Sequence, residues 1–262
     1  MKRTIKTTRA AIIICVMISS AVSAQSTGSW QPEFRVTNNS ATQQNRLAGQ
    51  ARSVMVDPFN TIYVVWRDNR NGGNDWDIYM RRNKNGWQAE QQVTLGPHSF
   101  TAVNPTLMFR LAKLPTWRNQ VWIAWLDNKD GGYEVYYSVW DVDQNLFLEQ
   151  ETPLSVLGGY RVPWDNDIKS APSLISSSAG DTVFAFYAYD LAPNDDQIFY
   201  RRFKSTSWAS EAEVPVGSSS LELHPFVVAS AGGELHLLMN KAQGDGIYSK
   251  ERTWLVAARC RR

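Results

Sequence analysis

A unit of four short apolar runs recurs along this chain at intervals of about 50 to 60 residues. Such a repeat constrains the fold strongly, because every copy must form the same supersecondary unit. One run of the unit aligns without gaps in four copies: Ile62–Trp66, Val121–Trp125, Val183–Tyr187 and Leu235–Met239. A run that opens on Arg52 or on a proline precedes each copy, and a polar turn with a further run follows it.

The runs have the composition of β-strands. They are short, rich in β-branched and aromatic residues, and bounded by Gly, Asn, Asp or Pro. Four such strands per unit at this period are typical of a β-propeller blade. The sequence therefore predicts an all-β protein with about four antiparallel blades, at 50–95, 104–155, 171–216 and 224–254. A β-sandwich is the alternative, although a sandwich does not require its sequence to repeat.

A strand-like segment precedes the first repeat. Residues 28–37 match the fourth run of the unit, Asn85–Thr94, and predict an outer strand. The fourth repeat ends in Arg252–Arg262 without such a run, which leaves two interpretations. Either the N-terminal strand completes a four-bladed ring, or the chain is part of a larger ring. We favour the larger ring, because four blades are at the small end of the range for propellers.

The N-terminal 24 residues predict a signal peptide. A basic start precedes the apolar run Ala10–Val22, and small residues lead to a cleavage site after Ala24. We therefore expect a secreted or periplasmic protein with one domain, 25–262, and no transmembrane segment after cleavage. The formal charge of +2 includes four basic residues of this peptide, so no nucleic-acid partner is expected. Only Cys260 remains after cleavage, which excludes an internal disulfide.

Two turns carry a resemblance to a known family. Asn83–Trp87 and Lys204–Trp208 keep the Trp of the Asp box, Ser-x-Asp-x-Gly-x-x-Trp, but lack its Asp. With these turns in register, the chain from about residue 28 to 251 resembles the repeats of the sialidase (neuraminidase) superfamily, also called BNR repeats. The resemblance implies a six-bladed propeller, of which this chain would hold about four blades.

The resemblance also implies catalytic residues. Arg52 opens a first strand as Arg-Ser-Val, where sialidases have Arg-Ile-Pro, and Arg70 lies in the following turn. Two guanidinium groups can grip the carboxylate of a sialic acid, and Asp75 would be the acid/base. The nucleophilic Tyr of the family, its Glu and a third Arg come from later blades, and no residue here matches them. The implied activity is that of an exo-α-sialidase.

Turn chemistry is the other interpretation of these acidic residues. The stretch Asp68–Gly73 recurs as Asp127–Gly132, and every blade needs such a turn, whereas a catalytic group is needed once. Arg70 and Arg52 are less easily explained by a turn, because Lys129 and prolines hold their places in other repeats. The Asp and Asn spacing does not match calcium loops, and we predict no metal or other cofactor.

The longest loop between repeats supplies the predicted ligand-binding residues. Tyr160, Arg161, Trp164 and Asp165 should share a face of the propeller with Arg70 and Asp75. The sequence thus favours a secreted module that binds a glycan or another surface ligand without a complete catalytic set. The alternatives are an exo-α-sialidase-type glycoside hydrolase and a structural propeller that binds proteins. The sequence does not indicate the oligomeric state.

Overall fold

The structure is a computed structural model of the whole chain. It describes residue 33 and the ranges 35–37, 45–46, 52–72, 75–96, 101–113, 118–156, 171–190, 196–215, 222–230, 233–241 and 246–252. Within these ranges all the regular secondary structure consists of β-strands. No helix that is long and apolar enough to cross a membrane is found there. The chain divides into two compact units, residues 1–34 and 35–262, and the second contains all the strands described below.

The first two sheets follow the predicted repeats. The first sheet contains β1 (Asn45–Arg46), β2 (Val54–Val56), β3 (Ile62–Asp68), β4 (Asp77–Asn83) and β5 (Gln91–Gln92). The second contains β6 (Ala102–Arg110), β7 (Gln120–Asp127), β8 (Glu134–Asp141) and β9 (Leu146–Pro153). In the first sheet, β1 and β2 both pair with β3. The strand β1 is additional to those that the sequence predicted.

The third and fourth sheets repeat the same antiparallel order. The third contains β10 (Ser173–Ser176), β11 (Thr182–Asp190), β12 (Asp196–Lys204), β13 (Ser207–Trp208) and β14 (Ala212–Glu213). The fourth contains β15 (Glu222–Ala229), β16 (Leu235–Lys241) and β17 (Gly246–Arg252). Within each of the four sheets, successive long strands are hydrogen-bonded neighbours, which is the meander of a propeller blade.

Neighbouring sheets pack face to face through apolar cores. Side chains of the first and second sheets share one core, the second and third share another, and the third and fourth share the last. β2, β6, β10 and β15, here called the inner strands, contact one another in this order. Four sheets stacked in chain order with adjacent inner strands form a β-propeller arrangement, which excludes a two-sheet sandwich.

One contact between consecutive sheets recurs with an arginine. Arg201 of the third sheet donates to the carbonyl oxygen of Leu154, which follows the last strand of the second sheet (2.7 Å). Arg81 of the first sheet donates in the same way to the carbonyl oxygen of Val36. Val36 also packs against the apolar face of the first sheet. Residues 35–37 therefore lie against the first sheet where the end of a preceding sheet would lie.

Several sequence predictions fall outside the described residues. These are the signal peptide at 1–24 and most of the N-terminal strand predicted at 28–37. Residues 35–37 are described and belong to no strand. The predicted cleavage site, the outer-strand role of this segment and the single-domain boundary at 25–262 remain predictions.

Candidate functional site

Arg70 is held by charged and aromatic groups of its own sheet. Its guanidinium lies 2.5 Å from Asp68 and 2.6 Å from Glu90, and its Cζ is 3.9 Å from the ring centroid of Tyr79. Asp68 is fully buried at the end of β3 and also accepts bonds from the backbone N–H of Arg70 and the indole of Trp66. Burial by itself would lower the pKa of Arg70, but the hydrogen bonds and charges of Asp68 and Glu90 together raise it above its ordinary value.

The second sheet contains the same assembly with a lysine. Lys129 lies 2.6 Å from Glu151, and its Nζ is 4.0 Å from the ring centroid of Tyr136. Asp127 accepts bonds from the backbone N–H of Lys129 and from the indole of Trp125. A cation, an aromatic ring and a carboxylate that recur in two sheets serve to fasten the turn to the sheet. This recurrence supports the turn interpretation of Asp68. It also indicates that the contacts of Arg70 stabilise the turn.

The other acidic residues of the first turn differ in burial. Asp77 is fully buried and accepts bonds from the amide of Asn71 (2.5 Å) and the hydroxyl of Thr94 (2.9 Å). Asp75 is partly exposed, and its backbone N–H donates to the carbonyl oxygen of Gly72 at 3.4 Å. Asp77 is therefore committed to the turn, whereas Asp75 remains the carboxylate of this turn that solvent reaches.

Arg52 stands apart from Arg70 and joins three sheets. Its carbonyl oxygen accepts a bond from the backbone N–H of Leu107 in the second sheet (2.9 Å). Its guanidinium lies 6.0 Å from the ring centroid of Phe226 in the fourth sheet. Burial lowers the pKa of Arg52, and no carboxylate of the described residues offsets this effect. In these contacts Arg70 is held within its own sheet, whereas Arg52 contacts the second and fourth sheets.

Two inner strands are irregular beside Arg52. The pairing of β6 with β7 shifts between Val103 and Thr106, and that of β15 with β16 shifts between Leu223 and Phe226. The residue before the proline has a positive φ in each bulge: 52° at Asn104 and 59° at His224. The first sheet has Arg52 at the place of these prolines, and its inner edge is divided there into β1 and β2.

A carboxylate–tyrosine cluster between the second and third sheets was not predicted. Tyr187 and Tyr189 are fully buried and donate to one oxygen of Glu211, at 2.5 and 3.1 Å. Burial, followed by the charge of Glu211, raises the pKa of Tyr187, so this phenol is neutral. Burial, and then the charges of Glu211 and Asp130, raise the pKa of Glu134, while its bond from Ser155 lowers it. Tyr187 and Tyr189 stand where two other repeats have Trp and Asp, and this difference is the sequence signal that could have revealed the cluster.

The predicted loop residues cannot be added to this geometry. Tyr160, Arg161, Trp164 and Asp165 all lie outside the described residues, and their ligand-binding role remains a prediction. In the described part of the chain, no group of three or more His, Cys, Asp or Glu side chains is placed to hold a metal ion. The candidate site that emerges is centred on Arg52, whose guanidinium lies near the ring of Phe226 in the fourth sheet.

Comparison with known proteins yields structural neighbours only. No protein family and no curated protein matches the chain. An α-L-arabinofuranosidase from Lactobacillus brevis is 11% identical with a TM-score of 0.45, over 77% of this chain and 71% of that one. The α-L-arabinanase of Penicillium chrysogenum, solved with arabinobiose, is 15% identical with a TM-score of 0.45, over 78% of this chain. This chain covers 62% of the arabinanase, and such low similarity transfers neither substrate nor activity.

Proposed function

We propose that this chain is a secreted β-propeller module that binds an acidic glycan, with Arg52 as the residue that holds the carboxylate or sulfate of the ligand. The supporting observation is a half-buried guanidinium that no carboxylate of the described residues neutralises. Burying a cation without a counter-ion is unfavourable, and a bound anion removes that cost. The planar fork of Arg also fits a carboxylate through two parallel hydrogen bonds.

The surroundings of Arg52 suit a sugar. Phe226 beside it is 39% exposed, so an aromatic ring and a cation are presented together. Ligand sites commonly combine apolar or aromatic surface with a few polar groups that fix orientation. An acidic sugar offers both a carboxylate for Arg52 and an apolar ring face for Phe226. A sialic acid is the specific ligand that the resemblance to sialidases suggests.

The alternative is an exo-α-sialidase in which Asp75 is the acid. Two observations count against it. The guanidinium of Arg70 is engaged by Asp68 and Glu90, so it is not available to pair with Arg52 around a substrate carboxylate. Tyr187, which has the required carboxylate partner, is fully buried, and its raised pKa keeps the phenol a poor nucleophile. Binding without turnover is the better supported function.

A glycan array with paired acidic and neutral oligosaccharides tests the proposal. We expect the wild type to bind acidic members, and Arg52→Met to lose about 10- to 150-fold in affinity, the value of a charge-assisted hydrogen bond. Arg82→Met is the matched control. It removes the same charge from another part of the first sheet, where the guanidinium of Arg82 lies beside Trp140 of the second sheet. Equal binding by the two variants would refute the role of Arg52.

Two further measurements separate the alternatives. Turnover of a fluorogenic sialoside by the wild type that Asp75→Asn abolishes would establish the enzymatic alternative.

Trp164→Ala tests the loop residues predicted from the sequence, and a weakened acidic-glycan signal would extend the site to that loop. Absence of binding to every acidic glycan, with protein binding retained, would instead favour a structural propeller.

A further inference from the structure

The residue that follows the outer strand of the second sheet joins this sheet to the next. The backbone N–H of Leu154 donates to the carbonyl oxygen of Val135 in its own sheet (2.7 Å). Its carbonyl oxygen accepts from Arg201 of the third sheet (2.7 Å). Leu154 also lies in the core that the second and third sheets share. One residue thus closes its own sheet through its N–H and holds the next sheet through its carbonyl oxygen.

The first and third sheets have residues of the same kind. The backbone N–H of Val93 donates to the carbonyl oxygen of Ile78 (2.8 Å). That of Val214 donates to the carbonyl oxygen of Ile198 (2.8 Å). Val93 lies in the core between the first and second sheets, and Val214 in the core between the third and fourth. Val93, Leu154 and Val214, here called the linking residues, therefore each close one sheet and pack against the next.

Val36 has the features of a fourth linking residue. Its carbonyl oxygen accepts from Arg81 of the first sheet. Ser138 and Arg201 hold the place of Arg81 in the next two sheets, and each donates to the carbonyl oxygen of the linking residue before it. The residues of β3 that Val36 packs against alternate with those that face the second sheet. Val36 therefore lies on the face of the first sheet that is turned away from the second sheet.

The fourth sheet lacks an outer strand among the described residues. There β17 pairs with β16 alone, whereas β4, β8 and β12 each have partners on both sides. Ile247 stands in β17 where the residues that accept from the linking residues stand in the other three sheets. The inner strand of the fourth sheet is also near the first sheet, since the ring of Phe226 lies 6.0 Å from the guanidinium of Arg52.

We propose that the outer edge of the fourth sheet binds the segment of this chain that contains Val36, with the backbone N–H of Val36 donating to the carbonyl oxygen of Ile247. The carbonyl oxygen of Val36 then holds the first sheet, and the propeller closes as a ring of four blades. An edge strand exposes a row of N–H and C=O groups, which this segment satisfies. Such closure does not depend on the ligand proposed for Arg52. It differs from the larger ring that the blade number of known propellers favours.

The register of the third sheet defines where a disulfide can test this contact. Glu213, directly before a linking residue, stands opposite Phe199. The same register places Arg35 opposite Tyr248. Because the residue after Glu213 donates to the residue before Phe199, the two form a pair without mutual hydrogen bonds. The Cα atoms of such a pair are about 4.5 Å apart, which is within the range that a disulfide spans.

Paired cysteines in the full chain measure the contact. In a background of Cys15→Ser and Cys260→Ser, we expect Arg35→Cys with Tyr248→Cys to form an intramolecular disulfide on oxidation. The product should remain a monomer on a non-reducing gel and lose both free thiols by mass spectrometry. A disulfide-linked dimer would show that a second copy of the chain completes the fourth sheet, and it would overturn the proposal.

Two control pairs in the same background calibrate this result. Glu213→Cys with Phe199→Cys has the same register within the third sheet and should form the disulfide. Arg35→Cys with Ile247→Cys should not form it, because a shift of one residue along a strand turns the side chain to the other face. If the third-sheet pair is oxidised while Arg35→Cys with Tyr248→Cys keeps its free thiols, the proposal is wrong.

Hydrogen exchange in the wild type tests the contact without any substitution. The backbone N–H of Val36 should exchange about as slowly as that of Val214, which donates to Ile198 in the third sheet. Exchange of the Val36 N–H at the rate of an unprotected amide would overturn the proposal, even where a cysteine variant does not fold.

Discussion

Replacement of Arg70 by methionine should destabilise the first sheet without affecting ligand binding at Arg52. The guanidinium is 21% exposed and joins Asp68, which is fully buried, to Glu90. Removing one partner of a buried ion pair typically costs about 3–5 kcal/mol, because the other charge stays buried. Asp68 keeps its bonds from Trp66 and from the backbone at residue 70, so we place the loss at about 2–3 kcal/mol.

Thermal unfolding followed by tryptophan fluorescence measures this loss. For a protein of this size, 1 kcal/mol corresponds to about 2–4 °C, so the midpoint of Arg70→Met should fall by about 4–12 °C. The double variant Asp68→Asn with Arg70→Met should recover part of the loss, because the fully buried side chain at position 68 then carries no charge without its cation, although Glu90 still lacks its ion pair with Arg70. Lys129→Met should cost less, since the lysine forms one ion pair, with Glu151, where Arg70 forms two. An unchanged midpoint for Arg70→Met, together with lost glycan binding, would refute the structural role assigned to Arg70.

Two further predictions concern stability. Gly180 and Gly131 both have positive φ, but a Cβ at Gly180 would lie 2.7 Å from a backbone oxygen of Leu111, whereas nothing lies within 4 Å at Gly131. Gly180→Ala should therefore lower the chemical denaturation midpoint more than Gly131→Ala, and equal losses would contradict the close approach. Because burial and then the charges of Glu211 and Asp130 raise the pKa of Glu134, Glu134→Gln should be more stable than the wild type at pH 7. The wild type should regain that difference as the pH falls through the raised pKa towards the ordinary value of 4.5, and a pH-independent difference between the two would contradict this assignment.

The repeat made most of the sheet strands predictable. β3, β7 and β11 correspond to the runs that align without gaps, because a strand between two partners is apolar on both faces and bounded by turn residues. The inner strands were predicted less well. Proline was taken as their first residue, but β6 and β15 begin earlier and continue through a bulge. A bulge adds a residue without changing the composition of a strand, so periodicity alone does not reveal it.

The candidate site was predictable only where one repeat departs from the others. Arg52 could be singled out because prolines hold its place in the other repeats, and the structure gives it contacts that the others lack. Arg70 was harder to assign from the sequence. Lys129 stands at this place in the next repeat, which could indicate either a special function for Arg70 or the exchange of one structural cation for another. The ion pairs with Glu90 and Glu151 favour the exchange. Glu90 lies 20 residues from Arg70, so this pairing required the fold.

The catalytic roles of Arg52, Arg70 and Asp75 drawn from the resemblance to sialidases remain predictions. The described contacts place the guanidinium of Arg70 beside Glu90 of its own sheet and that of Arg52 near Phe226 of the fourth sheet. The cluster around Glu211 was missed because its members come from two sheets. Tyr187 and Glu211 are 24 residues apart, and Glu134 reaches them from the neighbouring sheet. Contacts between sheets of this kind depend on the packing of consecutive blades, which no local pattern encodes.

The most direct test of Arg52 as the anion-binding residue is the nuclear magnetic resonance signal of its Nε–H group, assigned by its disappearance in Arg52→Lys. On addition of 3′-sialyllactose, we predict that the Arg52 signal shifts and exchanges more slowly with water, because a carboxylate then accepts its proton. The Arg70 signal should stay in place, since Asp68 and Glu90 already engage that guanidinium. A shift of the Arg70 signal with an unmoved Arg52 signal, or no shift of either, would contradict this assignment.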